Sequence, residues 1–436
     1  MMKEHKLIPG ILFQTKDIKR ASFVWNLLAA TMNSFQTMVL LLVLTHMGTS
    51  TDSSIFVMAY TIGNLLCNIG RFGIRQYQVT DAKQKYKFAD YLRLRYISIT
   101  MMAVATVIYL IYGIIFKNYL FEKSVVVFLI CIYKGIEAFE DVFHGRMQQK
   151  GRLDVASKIL FTRLIVFVLG YILVFVITKN ILLTTLINVI ITSILFIVLN
   201  HAVWKFFTDD NKATDKGNMR LLFQSGLPLC LSSILNMYLD NSPKYIIDGV
   251  VNDDVQTAFN IIFMPVFVVS LLSTFIYQPH LKKVGELWAD QEIDSFVKLM
   301  VRLFAVPIAL DILIVIVGSL IGLPILEFIY SVPLKEYKLI FISFLFAGGM
   351  TAIKNLFVVL LTTVRKQSML FVGHAVSSVV LFLFGKTVYH IWMLNGLAVF
   401  FVIILLATNV FFTIISIIEI ERHKRMVSGN IEQMNE

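Results

Sequence analysis

Two regular series of polar residues are the part of this sequence that could do chemistry. Within each series the residues follow one another in steps of three and four, a spacing that places side chains on one face of an α-helix. Both series stand inside apolar segments, where ionisable side chains are costly and usually serve a function. The first series is Thr61, Asn64, Asn68, Arg71, Arg75 and Gln78, and the second is Lys134, Glu137, Asp141, His144 and Gln148, with Glu140 at its edge.

Two other apolar segments carry shorter polar faces. Asn26 and Asn33 share one side of the first segment, and Asn236 and Asp240 share one side of the seventh. Polar faces on several helices must face one another or water, because lipid cannot satisfy their hydrogen bonds. The sequence therefore predicts a hydrated central cavity. Its predicted polar lining is Asn26, Asn33, Asn64, Asn68 and Asn236.

The charged residues of the second series allow two interpretations. In the structural interpretation, Lys134 pairs with Glu137 one helical turn away. Glu140 and Asp141 then find partners such as Arg163, because a buried charge needs a counter-charge. In the functional interpretation, the same side chains line a substrate path. Both interpretations remain open at this point.

Three basic residues stand near the middle of apolar segments, namely Lys134, Arg163 and Lys354. They place positive charge in both halves of the chain. This suits an anionic substrate, since attraction to phosphate is strong where the dielectric constant is low. For Lys354 the alternative is a snorkelling side chain or a salt bridge to the first half of the chain. Arg71 stands near the cytoplasmic end of its segment. An arginine there can serve to keep that end in the cytoplasm, or it can lie at the mouth of the cavity, and the sequence does not distinguish the two.

The segments that carry these residues are long enough to cross a membrane. The chain is 57% hydrophobic and only 15% charged, whereas about a quarter of a soluble domain is charged. A span needs about 20 apolar residues at a rise of about 1.5 Å each. We predict an all-α polytopic membrane protein with twelve transmembrane helices. They cover residues 20–46, 53–78, 89–116, 122–149, 153–177, 182–206, 218–241, 253–279, 294–319, 336–363, 367–390 and 395–421.

The basic residues indicate the orientation of these helices. When the sides alternate along the twelve spans, 29 of the 39 lysines and arginines fall on the side of both termini, seven on the other side and three within spans. Because basic loops stay in the cytoplasm, this distribution predicts a multi-pass protein of the cytoplasmic membrane with both termini cytoplasmic. The net charge of +11 is then a consequence of topology and does not indicate nucleic-acid binding.

The most polar connection follows the sixth span and divides the chain into two halves. Each half has an even number of spans, so the halves would be parallel repeats about an axis normal to the membrane. A weak echo between "GRMQQKGRLDV" and "TTVRKQSMLFV", which join corresponding spans, agrees with this. The predicted organisation is a first six-helix lobe at 1–206, a cytoplasmic linker at 207–217, a second six-helix lobe at 218–422 and a cytoplasmic tail at 423–436.

Motifs of several enzyme classes are absent from the sequence. There is no G-x-x-x-x-G-K-[ST], no H-E-x-x-H and no G-x-S-x-G, which argues against P-loop hydrolysis of ATP and against zinc or serine hydrolases. Cys67, Cys131 and Cys230 are scattered through apolar segments and predict neither disulfides nor a metal site. We therefore predict a transporter and not an enzyme, with no catalytic residues, metal or cofactor.

Several segments together resemble a known family. The chain is similar to the polysaccharide-repeat-unit flippases of O-antigen or teichoic acid type, in the multidrug/oligosaccharidyl-lipid/polysaccharide (MOP) exporter superfamily. The similarity covers nearly the whole chain, and "NSPKYIID" is its most distinctive part. It is carried by "FGIRQYQVTD" (72–81), "KYKFADYLRLR" (85–95), "KGIEAFEDVFHGRMQQKGRLDVASK" (134–158), "NSPKYIID" (241–248), "FMPVFVVSLLSTFIYQPHL" (263–281) and "VRKQ" (364–367).

The resemblance implies a MATE-like architecture, with two six-helix lobes around a central cavity. It implies that an undecaprenyl-pyrophosphate-linked oligosaccharide is moved across the cytoplasmic membrane by alternating access, for the synthesis of cell-surface polysaccharide. A polymerase and glycosyltransferases of the same pathway, and membrane lipids, would be partners. It also implies that cationic cavity residues bind the pyrophosphate or an acidic sugar. The candidates in this sequence are Arg71, Lys134, Arg163 and Lys354, and Lys244 within "NSPKYIID" is a candidate gate.

Coupling and substrate class remain open in the sequence. Proton or sodium coupling would run through Glu137, Asp141 or Asp240. The main alternative is a cation-coupled multidrug exporter of the same architecture, which should lack mid-membrane cations in both lobes and prefer a carboxylate on the first helix. The first span offers Asn26 and Asn33 instead. A second alternative, from a different class, is a membrane-embedded glycan ligase or polymerase.

Overall fold

The computed structural model describes residues 10, 12–80, 86–204, 216–277, 280–364 and 366–435, and within these ranges the chain is helical without strands. The helices are α1 Ile18–Met47, α2 Ser50–Arg71, α3 Ile74–Thr80, α4 Phe88–Lys117, α5 Phe121–Gln149, α6 Leu153–Thr178, α7 Ile181–Trp204, α8 Lys216–Ile247, α9 Asp253–Tyr277, α10 Leu281–Ala289, α11 Ile293–Val317, α12 Leu323–Tyr330, α13 Lys338–Thr363 and α14 Gln367–Asn435. A π-helical segment, Gly318–Gly322, joins α11 to α12.

Each predicted span has a helical counterpart, although the described residues contain ten helices that are long and apolar enough to cross a membrane. Two features explain the difference. The helix α5 is too rich in charge to qualify by composition, although it has the length of a span. The helix α14 contains two spans, which meet at Met393, where the backbone leaves the helical region with φ 54° and ψ −154°.

The second predicted span differs from the structure. Residues 53–78 were expected to form one helix, but α2 ends at Arg71 and α3 begins at Ile74. Phe72 and Gly73 between them have positive φ angles of 52° and 65°. A left-handed residue stops helical hydrogen bonding, and glycine tolerates that conformation best. The polar series of this span is therefore divided between two helices.

Local sequence explains where several helices begin. Thr49 and Asp52 form a reciprocal capping box at the start of α2. The Thr49 hydroxyl accepts the Asp52 N–H at 3.1 Å, and Asp52 accepts the Thr49 N–H at 2.8 Å. In the same way, Asp17 accepts the Arg20 N–H at the start of α1. Such caps satisfy amides that a helix leaves without intrahelical partners.

Apolar side chains cover much of the outer surface of the described helices. Along α4, Val104, Ile108, Ile111 and Ile115 are each at least half exposed. A soluble protein does not carry so long an apolar face on one helix. Together with the ten apolar helices, this surface identifies a multi-pass membrane protein.

The chain divides into two compact units, one of residues 1–237 with 252–254 and one of residues 238–251 with 255–436. The boundary lies within α8, whereas the predicted lobes meet at the linker 207–217. Most of that linker lies outside the described residues. The two-lobe organisation with its predicted bounds stays a prediction.

In the first unit, small residues let α2 approach α5 closely. A Cβ atom at Gly63 would lie 3.0 Å from Ile130 Cγ2, and one at Gly70 would lie 2.9 Å from the Cβ of Ala138. In the second unit, α11 and α13 share a core with α10 and α14, which includes Phe296, Met300, Leu356, Leu360 and Phe412. These contacts place the polar faces of α5 and α13 inside their units.

Candidate functional site

The polar face of α5 is buried in the first unit, where it lies against α2. Lys134, Glu137 and Glu140 are at most 6% exposed. Because these side chains cannot reach bulk solvent, each charge needs a partner within the protein. The partners come from four other helices, α2, α3, α4 and α6, and they define the site.

Glu137 is held by two cations. Lys134 Nζ donates to Glu137 Oε2 at 2.9 Å, as the structural interpretation predicts. Arg71, at the last position of α2, donates to the other oxygen of the same carboxylate. Lys134 Nζ also lies 4.4 Å from the centre of the Tyr60 ring, a contact that stabilises a desolvated cation.

Asp141 is also held by two cations, but neither is the Arg163 that the structural interpretation names. Arg75 of α3 and Arg95 of α4 each donate to one Asp141 oxygen, both at 3.1 Å. Arg75 donates further to Gln148 Oε1 at 3.1 Å. Arg75 belongs to the short helix α3, which follows the break at Phe72–Gly73.

Arg163 pairs with Glu140, again in agreement with the structural interpretation. Its Nε donates to Glu140 Oε2 at 2.7 Å, and Asn200 of α7 donates to the other oxygen at 3.1 Å. Both members of the pair are at most 1% exposed. His144 stands one turn along α5, with Nε2 at 3.8 Å from Glu140.

These residues form what we call the α5 charge cluster, in which five cations face three carboxylates and leave a formal surplus of two positive charges. Several guanidinium nitrogens of the cluster are buried without a hydrogen-bond partner among the described residues: Arg71 Nε, Arg95 Nε, and both Nη1 and Nη2 of Arg163. The members of the cluster are Arg71, Arg75, Arg95, Lys134, Arg163, Glu137, Glu140 and Asp141.

A small cavity of about 40 Å³ opens within the cluster. Three arginines contribute to its wall, and so do the three carboxylates. The volume suffices for a few water molecules. The lining residues are Asn33, Arg71, Arg75, Glu137, Glu140, Asp141, His144, Leu160 and Arg163.

The second unit holds a separate buried ion pair. Lys354 of α13 donates to Asp240 of α8, and the lysine side chain is fully buried. Lys354 therefore forms a salt bridge, but its partner lies in the second unit and not in the first half of the chain, where the alternative interpretation placed it. Lys244, one turn after Asp240, is 7% exposed, with Nζ at 4.9 Å from the Phe263 ring centre and 5.2 Å from that of Phe267.

The predicted polar residues are distributed unevenly. Asn33 lines the cavity. Asn68 is partly buried and donates to the Asn64 carbonyl within α2 at 3.0 Å. Asn26 and Asn236 are partly buried on α1 and α8. The three predicted coupling carboxylates, Glu137, Asp141 and Asp240, are each engaged in an ion pair.

Sequence reasoning missed Arg95, which was counted among the cytoplasmic loop charges. The structure buries it completely in α4, where it donates to Asp141 and to the Gly70 carbonyl. Ser98 donates to the same carbonyl at 2.7 Å, so an unpaired carbonyl at the end of α2 is satisfied. A signal was present, because Tyr91, Arg95, Ser98 and Met102 recur at helical spacing, and all four are buried.

Solved structures with the same fold include several transporters. An inward-facing multidrug resistance MATE family transporter of the MOP superfamily shares 14% identity at a TM-score of 0.64, over 92% of this chain and 99% of that one. A mutant of the Vibrio cholerae MATE transporter VcmN shares 10% identity at a TM-score of 0.65, over 97% and 98% of the two chains. A MOP superfamily transporter from Pyrococcus furiosus shares 12% identity at 0.61, over 98% of each chain.

These similarities confirm the predicted fold class, an all-α polytopic membrane protein with MATE-like architecture. No model of a protein family matches the chain. No curated protein matches it in sequence either.

Proposed function

We propose that this protein is a flippase that moves an undecaprenyl-pyrophosphate-linked oligosaccharide across the cytoplasmic membrane by alternating access, for the synthesis of surface polysaccharide. The fold, shared over nearly the full length with MATE transporters, supports a membrane exporter that performs no covalent chemistry. A polymerase and glycosyltransferases would then act on the same cargo. The proposal keeps both termini in the cytoplasm.

One observation carries the choice of a phosphate-bearing cargo, namely the positive surplus of the α5 charge cluster. A partly buried network in which cations outnumber carboxylates by two is suited to binding an anion. Arg163 Nη1 and Nη2 and the Nε of Arg71 have no hydrogen-bond partner among the described residues. A guanidinium with free N–H groups is suited to a phosphate, which accepts two parallel hydrogen bonds from it.

The cavity of about 40 Å³ indicates how the site would work. In the present conformation the carboxylates neutralise most of the cluster and occupy the cations that would bind the cargo. We infer that the cavity widens as the protein changes state, and that a phosphate then displaces Glu137 from the half-exposed Arg71. Lys354 would become available in the same way when its bond to Asp240 breaks.

The alternative of a drug exporter is favoured less by the same residues. An exporter of cationic drugs would bind its cargo at a carboxylate, and within the α5 charge cluster each carboxylate is already paired with a cation. The Pyrococcus furiosus neighbour is described as having a binding pocket of reversed polarity that suggests a different function. One fold thus accommodates pockets of different charge.

The proposal is tested by reconstitution into liposomes. A fluorescent undecaprenyl-pyrophosphate-linked oligosaccharide placed in one leaflet should reach the other in proteoliposomes and not in empty vesicles. The variants Arg71→Gln and Arg75→Gln should each slow this transfer about 10- to 100-fold, since a charge-assisted hydrogen bond contributes about 1.5–3 kcal/mol.

The matched control is Lys298→Gln, which removes one positive charge from an exposed site at the beginning of α11 and should leave the rate unchanged. A cationic dye is the second cargo. Transport of the dye without transfer of the lipid would replace the proposal by the drug-exporter alternative. Covalent extension of the oligosaccharide by the purified protein would instead indicate a ligase or polymerase.

A further inference from the structure

Asp311 is an acidic residue in the middle of a long apolar helical stretch of the second unit. The helical stretch Ile293–Tyr330 has 38 residues and high mean hydropathy. Asp311 lies at its midpoint, roughly 27 Å from either end at about 1.5 Å per residue. The hydrocarbon core of a bilayer is about 30 Å thick, so this carboxyl group lies far from both membrane surfaces.

The Asp311 side chain is buried against the backbone of α13. It is 6% exposed. A Cβ atom at Gly349 would lie only 2.0 Å from Asp311 Cγ and 2.2 Å from Oδ2, so glycine is required there to accommodate the carboxyl group. Asp311 Oδ1 is buried and has no hydrogen-bond partner among the described residues.

No cation of the described residues forms an ion pair with Asp311, and this distinguishes it from the carboxylates of the α5 charge cluster. On α13, Lys354 lies five residues beyond Gly349, on a different face, and pairs with Asp240. On α11, Arg302 lies roughly 13 Å nearer the helix start. None of the other charged side chains described in these helices forms an ion pair with Asp311: Asp294 and Lys298 of α11, Lys283 of α10, Glu327 of α12, Lys338 of α13, and Lys386, Glu419, Glu421, Arg422, Lys424 and Arg425 of α14.

A carboxyl group in this position is stable in its neutral form. An ionised carboxylate without a counter-charge is costly in a medium of low dielectric constant, and the group binds a proton instead. When a conformational change exposes the group to water, the proton can leave and the ionised form is solvated. The same residue then has different proton affinity in two states, which is the requirement for coupling transport to a gradient.

We propose that Asp311 is the proton-binding site that couples this transporter to the proton gradient. A proton from water outside binds a carboxylate oxygen, and the neutral group packs against Gly349. In the alternate state the O–H bond breaks and the proton passes to water inside, while the cargo moves outward. Proton coupling is thereby assigned to a residue other than Glu137, Asp141 and Asp240. The prediction that concerns transport of the cargo rests on the proposed function.

The surroundings of Asp311 contain elements that can change conformation. Pro307 lies one turn before it in α11 and has no N–H to donate to the helix. The π-helical segment Gly318–Gly322 begins two turns after it. A proline and a π-segment both weaken regular helical hydrogen bonding. A change in the charge of Asp311 thus acts on a stretch of α11 that can bend.

Infrared difference spectroscopy tests proton binding without any cargo. In the full-length protein in lipid, the carbonyl stretch of a neutral carboxylic acid should appear on acidification and disappear at alkaline pH. The variant Asp311→Asn should lose this band. The control Asp294→Asn removes an exposed carboxylate from the same helix, where it pairs with Lys424 at 2.8 Å, and should retain the band. Identical spectra of Asp311→Asn and the wild type at every pH would overturn the proposal.

A matched pair of glycine variants provides a second measurement. Gly349→Ala places a methyl group on the Asp311 carboxyl and should shift the midpoint at which the band disappears. Gly348→Ala meets Val269 instead, with Cγ2 at 3.0 Å, and should leave that midpoint in place. If Gly349→Ala and Gly348→Ala showed the same pH midpoint for loss of the carboxylic acid band, the band would not come from the carboxyl group that contacts Gly349. The assignment of proton binding to Asp311 would then be wrong.

A transport assay distinguishes the proton-binding proposal for Asp311 from the proposed flippase function. With an imposed proton gradient, wild-type proteoliposomes should transfer the lipid-linked oligosaccharide faster, and Asp311→Asn should transfer it at a rate that the gradient no longer changes. An Asp311→Asn protein that still responds fully to the gradient overturns the coupling role. Absence of lipid transfer in the wild type refutes the proposed function, while the infrared band still decides whether Asp311 binds a proton.

Discussion

At the scale of single residues, the described part of the chain buries charge in pairs. Arg95 and Arg163 are fully buried, yet each donates to a carboxylate on α5. Such pairs contribute little net stability compared with apolar residues of similar size, but the loss of one partner is severe. Their retention inside a membrane protein therefore indicates a requirement for charge at the site.

The pair of Arg163 and Glu140 allows this to be measured. Arg163→Gln leaves the buried Glu140 with the Asn200 amide and the more distant His144 ring, but without its arginine, and should lower the free energy of unfolding by about 3–5 kcal/mol. The double variant with Glu140→Gln removes both charges and should recover most of that loss. Denaturant unfolding of the purified protein in detergent gives the three values.

The control for this cycle is Asp294→Asn, which breaks an exposed ion pair with Lys424 and should not measurably change the unfolding midpoint. If the double variant were as unstable as Arg163→Gln alone, the loss would come from packing and not from the uncompensated carboxylate.

At the scale of elements, the site depends on an interruption between α2 and α3. Arg71 closes α2 and binds Glu137, whereas Arg75 opens α3 and binds Asp141. In one continuous helix these two arginines would stand one turn apart on a single face. The positive φ angles of Phe72 and Gly73 end α2 between the two arginines, so that each binds its carboxylate from a different helix.

Gly73→Ala tests this interruption. Alanine in the left-handed region costs about 1–2 kcal/mol, so the free energy of unfolding should fall by that amount, and transfer of the lipid-linked cargo should slow because Arg75 is displaced. The control is Gly135→Ala in the middle of α5, where an added Cβ meets nothing within 4 Å. It should be neutral or stabilise by up to about 1 kcal/mol. A loss at Gly135 as large as at Gly73 would contradict this explanation.

At the scale of the whole molecule, the distribution of basic residues predicts an orientation. Twenty-nine of the 39 lysines and arginines fall on the side of the termini. Glu336, between α12 and α13, and Lys298, near the start of α11, are exposed and should lie on opposite sides of the membrane. The three native cysteines are buried, which keeps the background of thiol labelling low.

A membrane-impermeant maleimide applied to intact cells should therefore label Glu336→Cys and not Lys298→Cys. After permeabilisation it should label both, because both sites are exposed to solvent. Wild-type protein, treated in parallel, measures the background from the buried thiols. Labelling of Lys298→Cys alone in intact cells would invert the predicted topology.

The sequence by itself determined the class of protein and the positions of its helices. An excess of apolar residues in runs of about 20 residues forces spanning helices, and each predicted span has a helical counterpart. Steps of three and four also determined which faces are polar, because helical periodicity is a local property. The pair of Lys134 and Glu137 follows from that periodicity alone, because the two residues are one turn apart on the same helix.

Only the tertiary structure decided which distant charges meet. Helical spacing places Arg95 on one face with Tyr91 and Ser98, but Asp141 lies 46 residues away and spacing does not identify it as the partner. Burial of Asp311 against Gly349 likewise depends on how α11 packs on α13. Which charged residues on different helices form a pair depends on which helix faces pack together. Small residues such as Gly63 and Gly70 allow particular faces to pack closely, and the spacing of residues in the sequence does not reveal those contacts.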